Sequence, residues 1–131
     1  MKKIFVFLFG LAFPLTLISS EKDVCADMQT SQEVLECSRQ SKSSSDKKLN
    51  DEYRELKLRI DKYYSQDQAL KLEYLAALKS AQLAWIAYRD KICELEAFEV
   101  EKRSPAYESI INGCVSRMSD SQSTYLRETM K

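Results

Sequence analysis

Apolar residues recur at helical intervals along most of the chain. Leu49, Tyr53, Leu56 and Ile60, followed by Tyr63 or Tyr64, succeed one another at steps of three and four, which places them on one face of a helix. A second series runs through Leu75, Leu78, Gln82, Trp85, Tyr88, Ile92 and Leu95, with the strong helix formers Ala76, Ala77, Ala81 and Ala84 between them. A third is carried by Cys114, Met118, Ser121 and Tyr125, with Leu126 beside them. No segment alternates with period two over a useful length, so essentially no sheet is expected. Methionine and tyrosine on these faces read as core residues.

Local signals set the predicted boundaries. Thr30 and Glu33 stand in the T-x-x-E order of a capping box, so a first helix should begin near Ser31. Ser43-Ser44-Ser45 predicts a kink or fray, because serine competes for backbone hydrogen bonds. The polar stretch Ser65 to Gln68 makes a turn. Pro105 lacks an amide donor and disfavours helix in the residue before it, so the second helix should stop around Arg103-Ser104-Pro105. The last helix is then expected from near Gly113. The predicted fold is all-α, a small antiparallel three-helix domain made of a long helical hairpin plus a C-terminal helix.

The first 20 residues stand apart. Met1, Lys2 and Lys3 precede an apolar run from Ile4 to Ile18, and Ser19 and Ser20 follow, which is the layout of a secretory signal peptide. The run is shorter than the roughly 20 apolar residues that cross a bilayer, and Pro14 interrupts it. Cys25 lacks the context of a lipid-attachment cysteine. The expected organisation is a signal peptide over residues 1–20 and a helical domain over 21–131, periplasmic or secreted and free of the membrane after cleavage. The 20 basic and 20 acidic residues balance, and losing Lys2 and Lys3 leaves a slight acidic excess. No concentrated basic face marks a nucleic-acid binder.

Four cysteines, Cys25, Cys37, Cys93 and Cys114, form an even set in a chain of exported type, which points to two disulfides. Gaps of 11, 55 and 20 residues between them do not resemble a zinc module, and histidine is absent. The missing histidine also removes Ser-His and Cys-His catalysis. The acids are spread over amphipathic helices, as on a solvated face. A non-enzymatic protein with no cofactor and no metal is expected.

With the turn near Gln66, antiparallel pairing joins positions whose numbers sum to roughly 133. Asp46 then falls beside Arg89, and Asn50 beside Gln82 and Trp85. The Asp46/Arg89 pair would be a charge-assisted contact that sets helix register. The functional alternative is a ligand site built from Asp46, Asn50, Tyr88, Arg89 and Asp90.

The elements around these residues, Asp46-Lys-Lys-Leu49-Asn50-Asp-Glu-Tyr53 and Leu78-Lys-Ser-Ala-Gln82-Leu-Ala-Trp85-Ile-Ala-Tyr88-Arg89-Asp90-Lys-Ile-Cys93, together with Cys25, Cys37 and Cys114, resemble the family of the lysozyme-inhibitor LprI N-terminal domain. The resemblance covers nearly all of the chain after the signal-like segment. One departure falls in the last helix, where the family carries a Thr-x-x-Arg-x-x-x-Leu pattern and this chain has Ser119, Gln122 and Leu126. The resemblance implies an exported helical domain, in a family named for a lipoprotein that inhibits lysozyme and mostly without characterised function. Fold likeness does not by itself carry activity.

Four cysteines allow three pairings. Cys25 can fold back onto Cys37 while Cys93 and Cys114 clamp the loop between the last two helices, and this sequential pairing is preferred. The competitor pairs Cys37 with Cys93 across the hairpin and leaves Cys25 to Cys114.

Two binding classes follow. In the first, the protein blocks a lysozyme by pushing a loop into its sugar cleft, and the candidate loop is Lys102-Arg103-Ser104, whose donors suit carboxylates. Asp90, Glu94, Glu96, Glu99 and Glu101 nearby could steer a basic partner. In the second, the chain is an interaction or stress-associated module of the cell envelope with no enzyme as target, presenting tyrosines such as Tyr63, Tyr64, Tyr74 and Tyr107. The partner is thus a lysozyme or another envelope protein, and the sequence assigns no oligomeric state.

Overall fold

The computed structural model describes Cys25 and residues 27–131, and the signal-like segment lies outside the described residues. Three helices follow in order, α1 over Ser31–Tyr63, α2 over Gln68–Glu96 and α3 over Pro105–Glu128, with no strand among the described residues. Two disulfides join Cys25 to Cys37 and Cys93 to Cys114, the sequential pairing.

α1 opens on a capping box. The Thr30 hydroxyl accepts from the Glu33 amide at 3.2 Å, and the Glu33 carboxylate accepts from the Thr30 amide at 2.9 Å, so two donors that the helix leaves open are satisfied. The helix then runs through Ser43-Ser44-Ser45 without the expected interruption. Ser45 is buried against α3, its hydroxyl 2.8 Å from that of Ser116 and donating to Asp120 at 3.1 Å. A hydroxyl occupied across a helix interface no longer competes for its own backbone.

The boundary between α2 and α3 differs from the expectation at both ends. α2 stops at Glu96, and residues 97–104 form tight turns in which Val100 N–H donates to the Ala97 carbonyl and Ser104 N–H to that of Glu101. α3 begins at Pro105, well before Gly113. Proline is well placed at the first helical position, where its missing amide would have had no partner, and Ser104 caps it by accepting from the Tyr107 amide at 3.1 Å. Pro105 starts a helix here.

α1 and α2 form the antiparallel hairpin, but the most extensive interface joins α1 to α3, which run parallel. Beyond the first turn of the seam, where Arg39 meets Glu108 and Ser38 meets Asn112, contacting residues rise together along both helices: Ser45 with Ser116, Lys48 with Asp120 and Glu52 with Arg127. The seam is built from small polar residues, Ser38, Ser45, Ser116, Ser119 and Ser123, all buried. Short side chains let the helices approach closely, and no buried side-chain nitrogen or oxygen among the described residues lacks a partner. Arg59 closes this end of the bundle, donating to the Leu126 carbonyl at 2.7 Å and to that of Thr129 at 3.3 Å, where a cation also meets the negative end of α3.

The apolar core is split in two. Leu49, Leu56, Ile60 and Leu126 gather near the hairpin, with Tyr53, Tyr64, Tyr74, Leu75, Leu78 and Trp85 packed around them. Cys93, Cys114 and Val115 form the second cluster. α2 is the least covered helix, with Gln82 and Cys93 its only buried residues. Its inward line is Leu78, Gln82, Trp85, Arg89 and Cys93, and Tyr88 and Leu95, expected on the core face, are exposed beside it. α3 occupies the position against α1 that a simple hairpin would have left to α2.

Candidate functional site

Asp46 and Arg89 meet. An Arg89 terminal nitrogen donates to the Asp46 carboxylate at 3.2 Å and to the Ser119 hydroxyl at 3.1 Å, and Ser119 donates to the same carboxylate oxygen at 3.1 Å. The other side of the guanidinium holds Asp90 at 2.9 and 2.8 Å, and its carbon lies 5.4 Å from the centre of the Trp85 ring. One arginine thus ties all three helices together. With four of its five donors bonded to protein partners and only 11% of its side chain exposed, it acts as a clamp on helix register.

The remaining residues of the alternative ligand site are not gathered there. Tyr88 is exposed, and Asn50 is exposed in an open polar groove along α1 that also touches Lys42, Asp46 and Arg54. Gln82 bonds to Gln122 of α3 at 3.0 Å, so α3 takes the partnership expected for Asn50. Leu49 lies in the core and Tyr53 packs against it.

Lys102, Arg103 and Ser104 lie on the corner between α2 and α3, at the end closed by the Cys93–Cys114 bridge. Ala97 is fully buried and pins the start of the corner. Arg103 has φ 68°, in the left-handed region that a non-glycine residue enters at a cost of about 1 kcal/mol. Lys102 and Arg103 are exposed and form no ion pair among the described residues, whereas the Ser104 hydroxyl is committed to its cap. Phe98 is 76% exposed and Leu95 65% exposed, so the corner presents two large apolar side chains together with two open cations. Phe98 does not stand out in the sequence; its signal is a large aromatic set between Glu96 and Glu99.

The acidic stretch beside the corner is largely neutralised. Asp90 is held by Arg89, Glu94 by Lys91 at 2.9 Å and Glu96 by Arg117 at 2.6 Å, leaving Glu99 and Glu101 exposed. The hydrogen bond to Glu94 raises the Lys91 pKa above its usual value. Among the described residues, no helix is long and apolar enough to cross a membrane.

A family model described as Lysozyme inhibitor LprI matches residues 23–126. An uncharacterised protein of Rhizobium meliloti (strain 1021) is 34% identical over 98 residues, which cover 72% of this chain and 70% of that protein. Among solved structures, a DUF1311 family protein from Pseudomonas putida KT2440 superposes with a TM-score of 0.70 at 25% identity, covering 78% of this chain and 95% of that one.

Proposed function

Because the chain belongs to the LprI lysozyme-inhibitor family, whose model reaches across all three helices, we propose that it is an exported binding protein that inhibits a lysozyme. The observation that carries this reading is the corner: Phe98 and Leu95 stand out beside two unpaired cations, on a turn anchored by the Cys93–Cys114 bridge. Aromatic and arginine side chains on a pre-ordered turn are the composition of a binding hot spot, since little conformational freedom is lost on docking. Lysozyme chemistry depends on two carboxylates that flank the scissile bond in a sugar cleft. Phe98 would occupy an apolar part of that cleft while Lys102 and Arg103 neutralise the carboxylates. Export fits the signal-like residues 1–20 and two disulfides, which persist in oxidising compartments. Catalysis by this chain has no part in the reading.

The test is a lysis assay in which the oxidised protein is titrated against a panel of lysozymes acting on peptidoglycan. Near-stoichiometric slowing of at least one enzyme is expected, and it should disappear when the bridges are reduced. Full lysis by every enzyme of the panel at large molar excess rules the reading out.

A second reading, an envelope interaction module without an enzymatic target, is favoured by the outer side of α2, where Leu72 and Leu83 are exposed. Light scattering and a pull-down from envelope extract distinguish it: self-association or a captured envelope protein, with no lysozyme bound, would establish it.

A further inference from the structure

A groove follows the seam between α2 and α3. Its more enclosed section, about 250 Å³, lies over Leu56 and Leu126 and is bordered by Tyr74, Gln82, Gln122 and Tyr125. A wider section of about 490 Å³ is bordered by Trp85, Arg117, Gln122 and Tyr125. Gln122 and Tyr125 border both, so the two sections meet at them.

Besides Arg117, the hydroxyls of Ser121 and Thr129 and those of its tyrosines, the groove carries one pair of side-chain amides. The Gln122 side-chain nitrogen donates to the Gln82 side-chain oxygen at 3.0 Å, and neither amide has another partner among the described residues. One amino group and one carbonyl are therefore left, and exchanging oxygen for nitrogen in both amides leaves one of each again. Gln82 is only 8% exposed, yet no fully buried side-chain polar atom among the described residues lacks a partner. Its free amino group must therefore reach solvent, and the groove is the space it borders. A ligand that displaces solvent from this group must replace the lost hydrogen bond, so one that carries a matching acceptor is preferred.

Around the amides stand aromatic rings. The Arg89 guanidinium packs on Trp85, Tyr74 is fixed by Tyr64 at 5.7 Å between ring centres, and Tyr125 forms the lip with 66% of its surface exposed. The one charged side chain on the groove, Arg117, is paired with Glu96 at 2.6 Å. The matching ligand is neutral, carries flat apolar faces and offers one N–H donor and one C=O acceptor within one small group. An acetamido group on a pyranose ring meets all three requirements. An extended polypeptide also carries amides, but it pairs through a ladder of backbone groups, and this groove holds a single amide pair.

We propose that the α2–α3 groove is a binding site for a neutral N-acetylated saccharide, its acetamido group bridging Gln82 and Gln122 and its ring faces resting on Trp85 and Tyr125. The site makes no use of the corner, so it stands or falls independently of lysozyme inhibition. It would let the protein hold N-acetylated glycan directly. Gln122 supplies half of the amide pair.

Trp85 is the only tryptophan of the chain, so its fluorescence reports on the groove alone. The oxidised protein is titrated with N,N′,N″-triacetylchitotriose, with cellotriose, which has the same linkage and no acetamido group, and with a blocked tri-alanine peptide. Chitotriose should give a saturable change with at least about tenfold preference over cellotriose, because the analogue leaves the amide pair unmatched. Gln122→Ala and, independently, the surface variant Tyr125→Ala should each weaken binding by about tenfold or more, with the helical circular dichroism unchanged. Gln122→Ala should inhibit lysis as well as the parent protein does. Equal response to cellotriose, a stronger response to the peptide, or no response up to about 10 mM chitotriose overturns the proposal.

Discussion

Replacing Asp46 by alanine removes one carboxylate and leaves two partners behind. Arg89, 11% exposed, loses a charge-assisted bond at 3.2 Å, and the fully buried Ser119 hydroxyl loses the acceptor of its proton at 3.1 Å. A charge-assisted bond is worth about 1.5–3 kcal/mol and an unsatisfied buried hydroxyl about 1 kcal/mol more. Breaking a fully buried ion pair can cost about 3–5 kcal/mol, but the Asp46 side chain is 36% exposed and Arg89 keeps Asp90, so solvent and the second carboxylate offset part of the loss. The expected cost of Asp46→Ala is about 2 kcal/mol, which lowers Tm by about 8 °C in a domain of this size. Asp46→Asn keeps an acceptor for both partners and should cost about half as much. Urea unfolding with both bridges intact measures the two variants. A loss below about 0.5 kcal/mol for alanine, or equal losses for alanine and asparagine, would refute the role of Asp46 as the anchor of register.

The two bridges should differ in worth. Opening the Cys93–Cys114 bridge with paired serines should cost about 3.3 kcal/mol from its 21-residue separation. The Cys25–Cys37 bridge spans 12 residues and should cost less than the about 2.8 kcal/mol of chain entropy, because the short segment it ties down ahead of α1 gains freedom in the native state as well. Thermal unfolding of the two double variants checks the order. Arg103→Gly should raise stability by about 0.5 kcal/mol, since glycine accepts φ 68° without strain, while weakening lysozyme binding; a variant that is less stable would show that the conformation is not strained. Glu33 has its pKa lowered from 4.5, chiefly by the hydrogen bond from the Thr30 backbone and then by that from the Thr30 hydroxyl. Its stabilising contribution is therefore present above 4.5 and lost as pH falls through the lowered value, so the difference between the parent protein and Glu33→Ala should shrink in acid. A difference independent of pH would contradict the capping assignment.

What could be read from the sequence was mostly local. Thr30 with Glu33 marks the start of α1 because both groups act within one turn. The Asp46/Arg89 contact was within reach because a short turn after Tyr63 sets the register of the hairpin on its own. Pro105 was misjudged because proline disfavours helix before itself and favours it after, and only the Ser104 cap decides between the two. The serines of the α1–α3 seam were the largest loss. Ser43 to Ser45 look like weak helix formers in isolation, and the partners of Ser45, Ser116 and Asp120, lie far along the chain. The packing of α3 against both other helices, which local spacing does not give, likewise hid the Gln82/Gln122 pair and left Tyr88 and Leu95 assigned to the core face. Lys102 and Arg103 stand out in the sequence by charge, whereas the exposure of Phe98 depends on where α2 ends and has no local signal.

The corner after α2 is the surface proposed to engage a lysozyme. Titration calorimetry tests it directly, using the oxidised parent protein and a Phe98→Ala/Arg103→Ala variant against the lysozyme most sensitive in the lysis assay. A one-to-one complex is expected, and the double substitution should weaken it by at least about tenfold with Tm essentially unchanged. No binding by the parent protein, or the same affinity in the variant, would contradict it.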